Sequence, residues 1–282
     1  MALLSFGRIR TVHALLFGRN PSNEAQNVIV GPAGQLHSAD FLLEVNKGNV
    51  SGHSLIHKFG NNKSFSTTIQ DVWAQTGTLT HLQAAETMNV ISSDTVNDIS
   101  TGSNARVITL EGLDANFNVV TEDVTLLATA VTTTQSFIRV YRMYVKAVGT
   151  YGVANVGAIT ATATTAATVQ NNIAIGDGQS GTTHYTIPTG FTGYLIRVSA
   201  SVDASKTANF HWNMRENADD VTVPFSPKRI LHHWEGIITT DLRLLANHVF
   251  AAKTDIWVSG DMTSVTGEVD FDYDLLLVAD GY

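Results

Sequence analysis

The chain contains no cysteine among its 282 residues. Disulfide staples, thiolate catalysis and Cys-ligated zinc are therefore excluded, and the fold must hold by packing and hydrogen bonding alone. Charge is also scarce, at 15% against about 25% in an ordinary domain. Thr, Ser and Asn keep the surface polar instead. Such a composition suits subunit contacts, because a charge buried at an interface is costly unless paired. The net charge of -8 and the lack of any basic run argue against direct nucleic-acid binding.

No apolar run approaches the roughly 20 residues of a membrane span, so no membrane partner is expected. The N-terminus, Met1 to Arg10, is interrupted by Arg8 and Arg10 and does not read as a secretory signal. Release by lysis or assembly after synthesis in the cytoplasm is the expectation.

Residues 1–60 carry short apolar pieces, Val12–Phe17 and Phe41–Val45, separated by Gly, Pro and Asn. Neither a strand nor a helix period is sustained. This segment reads as an extended arm with a short helix or strands, whose apolar pieces need a surface on the same subunit or a neighbour.

From Phe65 onward the text is β. Short β-branched runs bounded by turn residues recur, as in Phe65–Trp73, Ala105–Leu110 and Asp123–Leu127. In Phe137–Lys146 the residues Phe137, Arg139, Tyr141, Met143 and Val145 share one face. The other face is also mixed, so core lies on one side and a contact surface on the other. Thr150–Asn172 is rich in Gly, Ala, Thr and Asn. It reads either as a linker or as a thin strand at a close contact, and a domain boundary is placed near it.

Gly193–Val202 and Thr207–Arg215, joined by Asp203–Lys206, predict a β-hairpin. Ser226–Leu245 looks partly helical. Glu268–Val278 gives the clearest two-residue period. Val269, Phe271, Tyr273, Leu275 and Leu277 point inward, and Glu268, Asp270, Asp272 and Asp274 outward. No α/β alternation occurs. The expected fold is all-β: an arm over 1–60 and two jelly-roll-like β-sandwich modules over 61–160 and 166–282.

Few residues suggest chemistry. Gly176-Asp-Gly-Gln-Ser-Gly181 matches a dinucleotide fingerprint, with Asp203 downstream as the acid, but strand and turn follow where a helix is required. It reads as a turn. His53 and His57 stand four apart as in helical zinc sites, yet no acid accompanies them and glycines flank the segment. The adjacent His232 and His233 point apart on a strand. The stripe Glu268, Asp270, Asp272, Asp274 is either a solvated face or a surface that meets a partner's Arg or Lys, or a cation. As glycosidase carboxylates these residues would need a cleft that the sequence does not supply. No catalytic residues, cofactor or metal ligands are assigned.

Several stretches in their order resemble a family of virion structural proteins of tailed, largely marine bacteriophages. They include Gly52–Asn61, Asp71–Trp73, Ala105–Asp114, Phe137–Arg142, Gly176–Ser180, Tyr185–Gly190, Gly193–Leu195, Lys253–Ile256 and Asp274–Val278. The resemblance implies jelly-roll sandwiches, location in the virion and no catalytic residues. The expected function is non-enzymatic decoration or cementing of a capsid. The chain would form a homo-oligomer through its N-terminal arm and contact other virion proteins such as the major capsid protein. A neck or tail component is the near alternative. A host-glycan-binding module using Trp212, Trp234 or Trp257 is the distant one.

Overall fold

In a computed structural model of the chain, the described residues are 17–19, 25–27, 40–243 and 248–282. They fall into two units, Met1–Ser51 with Tyr282, and Gly52–Gly281. In the first, β1 (Phe17–Arg19) pairs antiparallel with β2 (Ala25–Asn27). Helix α1 (Phe41–Asn46) follows. Asp40 caps it: its Oδ1 accepts from Leu42 N at 2.9 Å and Leu43 N at 3.2 Å, satisfying two donors that lack helical partners. The expected apolar piece Val12–Phe17 lies, apart from Phe17, outside the described residues.

The second unit begins with β3 (His53–Phe65) and β4 (Gln70–Asp71). Seven strands follow: β5 (Met88–Ser92), β6 (Ala105–Leu113), β7 (Val119–Thr125), β8 (Val131–Thr132), β9 (Arg139–Val148), β10 (Ile159–Ala163) and β11 (Val169–Ile173). The chain continues with β12 (Tyr185–Thr186), β13 (Phe191–Val202), β14 (Ala208–Arg215) and β15 (Arg229–Ile237). It ends with β16 (Thr239–Arg243), β17 (Val249–Phe250), β18 (Asp255–Met262) and β19 (Gly267–Ala279).

Two sandwiches emerge from the pairing. In the larger, a sheet ordered β16-β13-β19-β3 faces one ordered β12-β18-β14-β15, with β17 on β13 and β4 on β18. Between them lie Phe65, Val198, Phe210, Trp212, Phe271, Tyr273 and Leu275, all at most 1% exposed. Full burial of each large apolar side chain contributes about 1.5–3 kcal/mol. Rings interlock across the sheets, with Trp212 and Tyr273 edge to face at 4.8 Å and Phe210 and Phe271 at 5.4 Å. The Tyr273 hydroxyl donates to Thr183 O at 2.8 Å, so the phenol is buried with a partner.

In the smaller sandwich, sheet β11-β10-β5-β8 faces β7-β6-β9 over Met88, Val90, Ile108, Leu110, Phe137, Met143 and Ile159. This core is inserted in the chain between β4 and β12.

All-β sandwiches are thus what the chain forms, but strand pairing divides it elsewhere than at 60 and 160–166. Strand β3 pairs along β19 from His53↔Val278 to Phe65↔Gly267, which ties the residues around position 60 to the far end of the chain. The low-complexity stretch is the hairpin β10–β11, with β10 in the sheet interior between β11 and β5. Its alternating Ala and Thr let Ala161 and Ala163 enter the core with at most 1% exposure.

Two expectations are overturned. Strands β13 and β14 do not pair: β13 bonds to β16, β17 and β19, and β14 to β15 and β18. Both present apolar faces to the same core, Leu195, Val198 and Ala200 against Ala208, Phe210 and Trp212. The Asp203–Lys206 turn therefore carries the chain from one sheet to the other. Ser226–Leu245 is likewise not helical where described, being mostly β15 and β16. Register breaks along β14–β15, between Ala208 and Phe210 and between Trp212 and Asn213, explain why no clean two-residue period showed there.

Candidate functional site

The acidic stripe occupies the outer face of the sheet β16-β13-β19-β3. Along β19 the inward residues Val269, Phe271, Tyr273, Leu275 and Leu277 are at most 4% exposed, which turns the carboxylates outward. Neighbours one strand away are fixed by register. Asp270 lies between Asn61 and Ser201, Asp272 between Phe59 and Ser199, and Asp274 between His57 and Arg197.

Arg197 organises one end of this face. Its Nη1 donates to Asp272 Oδ1 at 2.9 Å and lies 3.8 Å from Asp274 Oδ2, while Nε donates to Asp241 Oδ1 at 3.0 Å. The Asp241 hydrogen bond and the surrounding carboxylates raise the guanidinium pKa above its ordinary value, against desolvation by burial. His57 Nδ1 is 2.7 Å from Asp274 Oδ1. At the other end, Asn61 Nδ2 donates to Glu268 Oε1 at 2.9 Å and Asp270 Oδ1 at 2.7 Å. The stripe is therefore divided: Asp272 and Asp274 meet a cation within their own sheet, whereas Glu268 and Asp270 meet a neutral amide.

The other residues with possible chemistry are dispersed. His53 and His57 sit on β3, where a separation of four is about 13 Å along an extended strand and too long for one metal. Gly176 and Gly178 have φ of +81° and +68° and shape a turn before β12, with no helix after it. Asp203 accepts from Lys206 Nζ at 2.8 Å and Glu268 N at 3.1 Å, closing the turn between sheets. Those two bonds hold its carboxyl below the usual range. Trp212 and Trp257 are buried, at 1% and 8% exposure, while Trp234 is half-buried beside His232 at 4.2 Å.

Two features escaped the sequence reading. The first is the sandwich edge formed by β15 and β16. Among the described strands of five or more residues, only these two contain no buried residue. Along this stretch Val223, Phe225, Ile230, Ile238 and Leu242 are exposed, Val223 at 82% and Ile238 at 54%. The helical misreading of 226–245 hid this edge.

The second is a charged junction between the two cores. Arg139 of β9 donates from Nε and Nη2 to the two oxygens of Asp255 on β18, both at 2.9 Å, and from Nη1 to Leu82 O and Ile138 O. Thr186 Oγ1 adds a 2.6 Å bond to Asp255. Burial alone would raise the Asp255 pKa, but nearby positive charge at His81 and Arg139 and these hydrogen bonds hold it well below the usual range. His81 is 3.9 Å from Asp255, and burial drives its pKa down to about 3. His184 stacks on Trp257 with ring centroids 6.0 Å apart. Its Nε2 lies 3.1 Å from Asp71 but outside hydrogen-bond geometry.

No family model matches the chain, and no curated protein sequence matches it significantly. Solved viral chains show a faint likeness. The T13 viral particle of IBDV matches with a TM-score of 0.24 and 9% identity over 81% of this chain and 70% of that one. The infectious bursal disease virus VP2 subviral particle matches with a TM-score of 0.20 and 9% identity over 82% of this chain and 73% of that one. Likenesses this low carry no functional argument.

Proposed function

We propose that the protein is a non-enzymatic structural component of a tailed-phage virion, a decoration or cement protein that binds the capsid surface in many copies. The observation that carries this reading is the uncovered sandwich edge. A monomer gains by placing Ile230, Ile238 and Leu242 against something, and an open β edge offers unpaired backbone groups to a further strand. Multi-copy assembly meets both needs.

The acidic face supports the same reading in a narrower form than the sequence suggested. Glu268 and Asp270 are the carboxylates left for a partner's Lys or Arg, because Arg197 already serves Asp272 and Asp274. A neck or tail component would use the same surfaces in fewer copies. A host-glycan reading rests on Trp234 alone, since Trp212 and Trp257 are buried.

Quantitative mass spectrometry of purified virions separates these readings. Decoration predicts a copy number comparable to that of the major capsid protein. A handful of copies per particle would move the protein to the neck or tail, and absence from the particle would overturn the virion role.

A further inference from the structure

Position 58 lies on the inward face of β3, opposite Tyr273, where the pattern calls for an apolar side chain. The sequence places a lysine there instead. Lys58 is 6% exposed, and its Nζ donates to the backbone carbonyl of Tyr141. It lies 5.8 Å from the centroid of the Tyr141 ring. Lys47, Lys63, Lys146, Lys206 and Lys253 each form an ion pair with a carboxylate. Lys58 has no such partner among the described residues.

The residue also borders open space. Lys58 lines a cleft of about 510 Å³ between the two cores, with Leu55, Phe59, Glu111, Arg142 and Gln179 among its walls. A buried amine without an ion-pair partner releases its proton easily, which is how lysines become nucleophiles. Burial, helped by the Arg142 charge and opposed by Glu111, brings Lys58 to about 7. Near neutral pH a large share of it is therefore the neutral amine. Its one carbonyl partner uses an N–H and leaves the nitrogen lone pair free.

We propose that Lys58 is a covalent capture site for small aldehydes that enter through the cleft between the two cores. The Nζ lone pair forms a C–N bond to the aldehyde carbon, and the carbonyl oxygen takes up a proton. The resulting carbinolamine loses water to leave an imine. No oxidant or reductant is consumed, and hydrolysis reverses the step.

The test uses the folded full-length chain at pH 7 with glyceraldehyde and cyanoborohydride, whose hydride reduces the imine to a stable secondary amine. Peptide mapping after brief labelling gives the rate at each lysine. Lys58 is expected to label at least about tenfold faster than Lys47, Lys63, Lys146, Lys206 and Lys253, each of which is held by a carboxylate. That preference should disappear in urea. Labelling of Lys58 at or below the rate of the other lysines would overturn the proposal. So would a preference that survives unfolding, because local sequence rather than the cleft would then be its cause.

Discussion

At the scale of single residues, the junction between the cores decides most. Arg139 and Asp255 are both almost fully buried and form a two-pronged ion pair, with Arg215 Nη2 3.4 Å from Asp255 on its other side. Removing one member leaves a charge in a dry site, which costs more than the intact pair contributes. Arg139→Met should therefore destabilise the protein by about 3–5 kcal/mol, read as a lower urea midpoint. An unchanged midpoint would show that water reaches Asp255. His81 gives the junction its pH dependence. Its pKa falls from 6.5 to about 3 on folding, so the fold favours the neutral ring. The associated stability is complete above pH 6.5 and is lost as pH falls from 6.5 towards 3, by about 1.4 kcal/mol for each pH step of one within that window. His81→Phe should flatten the acid limb of a stability profile measured by urea melts between pH 4 and 7. An identical limb in the variant would place the acid sensitivity elsewhere. The sequence showed Arg139 on a face with Phe137 and Met143, but its partner stands 116 residues away on β18. Periodicity reports faces, and it carries no information about which distant charge a face will meet.

At the scale of elements, β19 was legible because one face meets a core and the other is open, so period two is written directly in its residues. The stripe Glu268, Asp270, Asp272, Asp274 was located the same way, while its division by Arg197 depended on the register with β13. Strands β13 and β14 each alternate as well, and a short turn joins them. Alternation fixes which side chains face the core and says nothing about whether two strands share a sheet or oppose one another. Strands β15 and β16 were misread for a different reason. Leu231, Trp234 and Ile237 of β15 pack, only partly buried, against the larger core at a spacing of three, while Ile230 and Ile238 stay exposed, so no two-residue period is enforced. That same feature makes the edge testable. Ile230→Lys with Ile238→Lys should leave stability within about 0.5 kcal/mol, because both side chains are more than half exposed. Self-association, followed by light scattering across a dilution series, should weaken at least about tenfold. A loss of stability without a change in association would mean that the edge serves the monomer.

At the scale of the whole molecule, two sandwiches interleave in the chain, the smaller inserted between strands of the larger. The all-β class followed from short β-branched runs, scarce charge and the absence of α/β alternation. The insertion could not be read, because nothing local distinguishes a strand that returns to its own sandwich from one that begins another. The exposed edge and the two carboxylates that meet no cation among the described residues lie on the larger sandwich, so the proposal places assembly there. Gold-antibody labelling of purified particles in the electron microscope tests this most directly. Label spread over the head is the predicted result, whereas intact particles that bind no label anywhere would contradict the proposed role.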